Sequence, residues 1–191
     1  MATEKQISDY RELLLQHFGE QSENSDTNIT TCCKTKFTGG CMNDHTVERN
    51  FYEKTFEDKC ASLLQYKKEG DLNYCNKKYQ ESKEFYKKAL LLSELAISEN
   101  EAEESKLIDL KILLHLNLSI SLMQLFKYDK AIESLDYVLS KSENNEKAIY
   151  RKLECLQKLK RDKELKLFYS HATKNKNLLN KEFLSTIQRF E

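Results

Sequence analysis

Residues 66–90 read YKKEGDLNYCNKKYQESKEFYKKAL. Within them Gly70, Tyr79, Ser82, Tyr86, Ala89 and Leu90 stand at offsets 0, 9, 12, 16, 19 and 20. Ser119, Tyr128, Ala131, Leu135, Val138 and Leu139 repeat all six offsets, and Leu153, Asp162, Leu165, Tyr169 and Ala172 repeat the first five. The copies begin 49 and then 34 residues apart, so the second interval is one bare repeat and the first carries 15 extra residues. A period of roughly 34 residues built from two helices is the mark of a stacked repeat. One such unit cannot bury its apolar face alone, so copies pack on copies.

Composition fits a scaffold made only of helices. Apolar residues are 39% of the chain and charged residues 32%, with no proline, no tryptophan and four glycines, so little interrupts a helix and little favours a tight hairpin. The fold class expected is all-α, a right-handed superhelix of three tetratricopeptide (TPR) helix pairs closed by a C-terminal capping helix. Net charge is zero overall, yet residues 141–191 carry 13 Lys or Arg against 7 Asp or Glu, which leaves +6 there and −6 elsewhere. A basic end facing a concave surface attracts acidic ligands.

Four segments are expected along the chain. Residues 1–18 read as a short amphipathic helix, with Ile7, Tyr10, Leu13, Leu14, His17 and Phe18 at helical intervals. Residues 19–50, rich in Gly, Ser, Thr and Asn, read as a flexible linker. Residues 51–173 hold the three repeats, and 174–191 the capping helix. The first pair is expected as Lys59 to Cys75 and Tyr79 to Ile97, with the run SENEAEES at 98–105 ending the second helix and supplying Ser and Glu caps for the next. Most of the 15 extra residues are expected in that run. Leu107 to Leu125 is apolar on nearly every side, as a helix sandwiched between neighbours requires.

The repeat phase selects side chains for the concave groove. Lys67 lies three residues before Gly70, Asn117 two before Ser119, and Lys147 and Arg151 stand i and i+4 on one helix face. Three cations and an amide can hold a carboxylate through charge-assisted hydrogen bonds, to which Arg adds a planar fork. Tyr74, Ile120 and Met123 share the phase and could receive apolar side chains of an extended peptide.

These residues carry a family resemblance. YKKEGDLNYCNKKYQESKEFYKKAL resembles the first repeat of the TPR domains of large immunophilins and heat-shock co-chaperones, whose usual pattern is Lys-x-x-Gly-Asn followed by an aromatic. HLNLS at 115–119 and EKAIYR at 146–151 are similar to that family's later signatures, over residues 57 to about 173 in all. The resemblance implies a two-carboxylate clamp made by Lys67, Asp71, Asn117, Lys147 and Arg151, gripping the acidic Glu-Glu-Val-Asp C-terminal peptide of Hsp90- or Hsp70-type chaperones. Asp71 departs from the pattern, standing where the family has Asn. A second carboxylate ~4 Å from a ligand's carboxylate costs roughly 4 kcal/mol at an effective dielectric of 20. Alternatively Asp71 pairs with Lys67 one turn earlier.

The function expected is therefore a non-catalytic co-chaperone adaptor without a cofactor, with a client or second protein as a further partner and a monomer or weak homodimer as its state. The alternative is a TPR scaffold that binds another peptide or its own N-terminal segment, without a chaperone role. No phosphate loop or metalloprotease motif is present in the sequence. Cys32, Cys33, Cys41 and His45 are enough ligands in number for zinc but match no standard spacing, so no metal is expected. No run of about 18 apolar residues suggests a membrane span, and the first residues lack a secretory pattern, so a cytoplasmic protein with reduced thiols is expected. Nucleic acid is not expected either, because the basic region lacks interleaved stacking aromatics.

Overall fold

The computed structural model describes residues 54–174, 185 and 187–190. Six helices follow one another: α1 (Phe56–Cys75), α2 (Tyr79–Glu94), α3 (Glu101–Gln124), α4 (Tyr128–Lys141), α5 (Glu146–Lys158) and α6 (Asp162–Lys174), with a 3-10 turn at Gln188–Phe190. Among the described residues there is no strand. Each helix packs on the next in sequence, and α1 also meets α3 as α3 meets α5. The first helices of the three pairs therefore form one continuous wall, which is the wall that carries the candidate site.

Local chemistry sets the helix ends. The first helix of each pair begins at a side-chain cap: Thr55 Oγ1, Asn100 Oδ1 and Asn145 Oδ1 accept from the amides of Asp58, Glu103 and Ala148. Each pair then turns the same way. Lys77, Phe126 and Lys160 adopt φ of 60°, 59° and 56°, and their spacing repeats the intervals of the sequence pattern. Around each of them the two bonds of a Schellman turn close, as in Lys78 N to Asn73 O at 2.9 Å and Lys77 N to Tyr74 O at 2.9 Å.

The second helix of each pair supplies the core. Tyr86 and Ala89 of α2, Ala131, Leu135 and Val138 of α4, and Leu165 and Ala172 of α6 are buried, together with Leu114, Leu118 and Leu122 of α3 and Leu153 and Leu156 of α5. These are the repeat positions and their partners. Ile187 and Phe190 join the same core at its end. That is the part of the expected capping helix that lies among the described residues; 175–184 lie outside them, as do the expected N-terminal helix and linker.

Three expectations need correction. Helix α1 starts at Phe56 rather than Lys59, because Thr55 caps it. Helix α2 stops at Glu94, three residues short of Ile97, and α3 starts inside the run expected to separate them, at Glu101. Asn100 is the cap there, and Glu101, Glu103 and Glu104 fill the first turn, where carboxylates are favoured by the helix dipole. Much of the insertion is thus extra helix rather than linker. Finally, α3 is long and apolar enough, by length and composition alone, to cross a membrane. Its Leu114, Leu118 and Leu122 are instead packed between α2, α4 and α5.

Candidate functional site

The wall of first helices brings the sequence-selected residues together in two groups. The first is centred on Asp71. Lys67 Nζ, one turn earlier on α1, donates to Asp71 Oδ2 at 2.6 Å. Asp71 Oδ1 accepts from Tyr86 OH of α2 at 2.5 Å and from Asn117 Nδ2 of α3 at 2.9 Å. Three donors from three helices converge on one carboxylate, which remains partly exposed. Burial, followed by the bond to Asp71, holds the Tyr86 hydroxyl protonated well above the ordinary tyrosine range. Its proton is therefore the one donated to Asp71.

The second group lies one helix further on. Ile120, Met123 and Gln124 of α3 and Glu146, Lys147, Tyr150, Arg151 and Glu154 of α5 line a cleft of ≈ 510 Å³. Arg151 is held in place by its Nη1, which donates to Leu116 O at 2.7 Å. Burial lowers the guanidinium from its ordinary value, and the neighbouring Tyr74, Cys155 and Glu154 oppose that shift. Lys147 is exposed and has no ion-pair partner among the described residues. Arg189 of the terminal 3-10 turn donates to Tyr150 OH and lies 4.9 Å above the Tyr150 ring, adding a third cation at the margin. Tyr74 sits to one side, its ring 5.3 Å from that of Tyr79, its hydroxyl bonded to Gln124 and its own ionisation suppressed chiefly by burial.

The structure divides Lys67, Asn117, Lys147 and Arg151, expected to converge on a ligand carboxylate, between these two groups. Lys67 and Asn117 are engaged with Asp71, and the open cations are those of α5. Of the two alternatives for Asp71, the pair with Lys67 is the one formed.

Six contributors do not follow from the sequence reading: Tyr86, Gln124, Glu146, Tyr150, Glu154 and Arg189. Tyr86 was legible only as a repeat position, although its pairing with Gly70 across a helix interface could have hinted at a close approach. Glu146 and Glu154 flank the two cations on the same helix, and Glu154 shares their phase. Arg189 carries no local signal, since it arrives from a segment 38 residues beyond Arg151.

Two reactive side chains outside the site, Cys155 and His115, are shifted by burial. Burial pushes the Cys155 thiol up to about 12. His115 stacks on Tyr137 with ring centres 4.1 Å apart, and burial lowers it to about 4. No cluster of three metal-ligating side chains occurs among the described residues. Cys32, Cys33, Cys41 and His45 lie outside them.

Comparison with known proteins places the fold. No family model matches the chain, and no curated protein matches it. Among solved structures it is similar to the C-terminal TPR-containing domain of a Plasmodium falciparum protein described as FK506-binding, at 24% identity and a TM-score of 0.60, covering 73% of this chain and 93% of that one. It is also similar to the TPR domain of Arabidopsis OM64, at 20% identity and a TM-score of 0.50, covering 69% and 95%. At such identities the likeness is one of architecture, and the chain has the all-α superhelical fold of a TPR domain.

Proposed function

We propose that this TPR fold serves as a non-catalytic adaptor whose cleft between α3 and α5 receives an acidic peptide. The C-terminal tail of an Hsp90- or Hsp70-type chaperone is the ligand class that the sequence resemblance favours. One observation carries the reading: Lys147 and Arg151, a turn apart on α5, share a cleft with Ile120 and Met123. Cations beside apolar side chains suit a peptide that combines carboxylates with an aliphatic residue. Arg151 is preorganised by its bond to Leu116 O, which reduces the ordering cost of binding.

Glu146 and Glu154 line the same cleft. They favour a second reading, in which the groove takes a different peptide carrying basic residues. The two readings part in one experiment, a fluorescence-anisotropy titration of the full chain with labelled Met-Glu-Glu-Val-Asp and with a counterpart in which both Glu are Lys. The first reading expects the acidic peptide to bind, to weaken with added salt, and to lose at least about fivefold in affinity on Lys147→Glu, as an exposed charge pair of ~1 kcal/mol implies. Preference for the lysine peptide would replace it with the second.

A further inference from the structure

The Asp71 cluster has the composition of an anion receptor that is already full. Its three donors, an ammonium from α1, a phenol from α2 and a carboxamide from α3, come from three different helices and meet on one carboxylate at 2.5 to 2.9 Å. Helix packing fixes two of them. Tyr86 is 2% exposed and its ring lies against the bare backbone of Gly70, while Asn117 belongs to α3, whose flanking Leu116 and Leu118 are buried. The single proton of Tyr86 cannot serve a ligand without leaving Asp71, and the Asn117 carboxamide is aimed at the same oxygen.

An incoming carboxylate gains nothing there. It would have to displace one already tied to the chain, whose effective concentration no peptide in solution approaches, and two carboxylates side by side in one seat repel each other. A peptide that ends in a free acidic residue offers two carboxylates on that residue, and seating both requires two open receptors. Among the described residues the groove's cations make one group, Lys147 and Arg151, with Arg189 at its margin engaged on Tyr150.

We propose that Asp71 is a built-in ligand that closes the Lys67–Tyr86–Asn117 seat, so that the groove reads acidic side chains of a peptide and does not recognise its free C-terminal carboxylate. This inference rests on the reading of the cleft as a site for acidic peptides, and extends it to segments within a chain as well as tails. Replacing Asp71 by Asn removes the charge while keeping an oxygen for Tyr86 and Asn117 to donate to. The seat then has Lys67 and an amide N–H to offer a carboxylate.

The test is calorimetric titration of the full chain, wild type, Asp71→Asn and Asp71→Ser, with acetylated Met-Glu-Glu-Val-Asp as free acid and as C-terminal amide. Circular dichroism checks that each variant is folded, and the smaller serine serves where asparagine packs poorly. Wild type is expected to bind acid and amide within about threefold, and the variants to bind the acid at least about tenfold more tightly with the amide unchanged. A wild-type preference for the acid above tenfold, or variants that treat the two peptides alike, would overturn the inference. If wild type takes neither peptide while a variant takes the acid, the groove reading fails and the role of Asp71 stands; if wild type binds and no variant takes the acid, the role of Asp71 fails alone; if neither wild type nor a variant takes the acid, both fail.

Discussion

The ring of Tyr86 lies so close over Gly70 that a β carbon at residue 70 would fall 2.5 Å from its Cε1 and 2.9 Å from its Cδ1 and Cζ. This contact, made between α1 and α2, is what allows the Tyr86 hydroxyl to reach Asp71. Gly70→Ala gains roughly 1 kcal/mol of helix propensity, but overpacking of a tight interface costs about 1–3 kcal/mol and the bond to Asp71 is lost with the ring's position. A net loss of about 1–2 kcal/mol is expected, read as a lower urea midpoint with an unchanged slope. Tyr86→Phe keeps the packing and removes only the hydroxyl, so a loss of about 1–2 kcal/mol separates the bond from the ring.

The three turns within the pairs each carry a residue other than glycine in the left-handed region. An L side chain there costs roughly 1–2 kcal/mol, against about 0.5–1 kcal/mol that glycine loses in chain entropy. Lys77→Gly and Lys160→Gly should each therefore raise stability by about 0.5 kcal/mol, with effects that add because the turns are far apart in sequence and belong to different repeats. Urea unfolding of the two single variants and the double variant checks this.

Acid should weaken the fold through His115. Its folded pKa is lowered to about 4 by burial, with Glu94 opposing and Lys111 reinforcing the shift, and its Nδ1 is buried without a hydrogen-bond partner among the described residues. The unfolded chain binds a proton near pH 6.5 that the folded chain refuses, so this contribution is intact above pH 6.5 and declines as pH falls toward 4. The loss amounts to about 2–3 kcal/mol at most. His115→Phe keeps a ring against Tyr137 and should flatten the wild-type slope between pH 7.5 and 4.5 in urea midpoints compared at matched pH.

Thiol reactivity should differ sharply between two cysteines. Cys155 is fully buried and its thiol is raised to about 12, whereas Cys75 is exposed at the end of α1. Because the thiolate is the nucleophile, iodoacetamide under native conditions should modify Cys75 and leave Cys155 intact until urea is added. Peptide mass mapping reads both sites; early labelling of Cys155 would show that α5 opens locally.

The spacing from Gly70 to Leu90, repeated from Ser119 and from Leu153, was enough to give the pairs, the turns at Asn76–Lys78 and the buried positions of α2 and α4. Those features depend on period and on local capping, both of which are written in contiguous residues. The start of α3 was misplaced because a run of Glu and Asn reads as a break when its cap, Asn100, is not distinguished from its neighbours. At the site, phase selected Lys67, Asn117, Lys147 and Arg151, since helices stacked at a fixed offset present the same face, and the family resemblance added Asp71. What phase could not give was who bonds to whom. That Asn117 turns to Asp71 rather than to a backbone carbonyl, and that Arg151 reaches Leu116 O, depends on how α1, α3 and α5 meet across 46 and 35 residues of sequence.

The most direct measurement is an amide NMR titration of the isotopically labelled full chain with acetylated Met-Glu-Glu-Val-Asp. Shifts concentrated at Ile120, Met123, Lys147, Tyr150 and Arg151, and reduced in Lys147→Glu, are the predicted result. Shifts confined to α4 and α6, or none at millimolar peptide, would contradict a peptide site between α3 and α5.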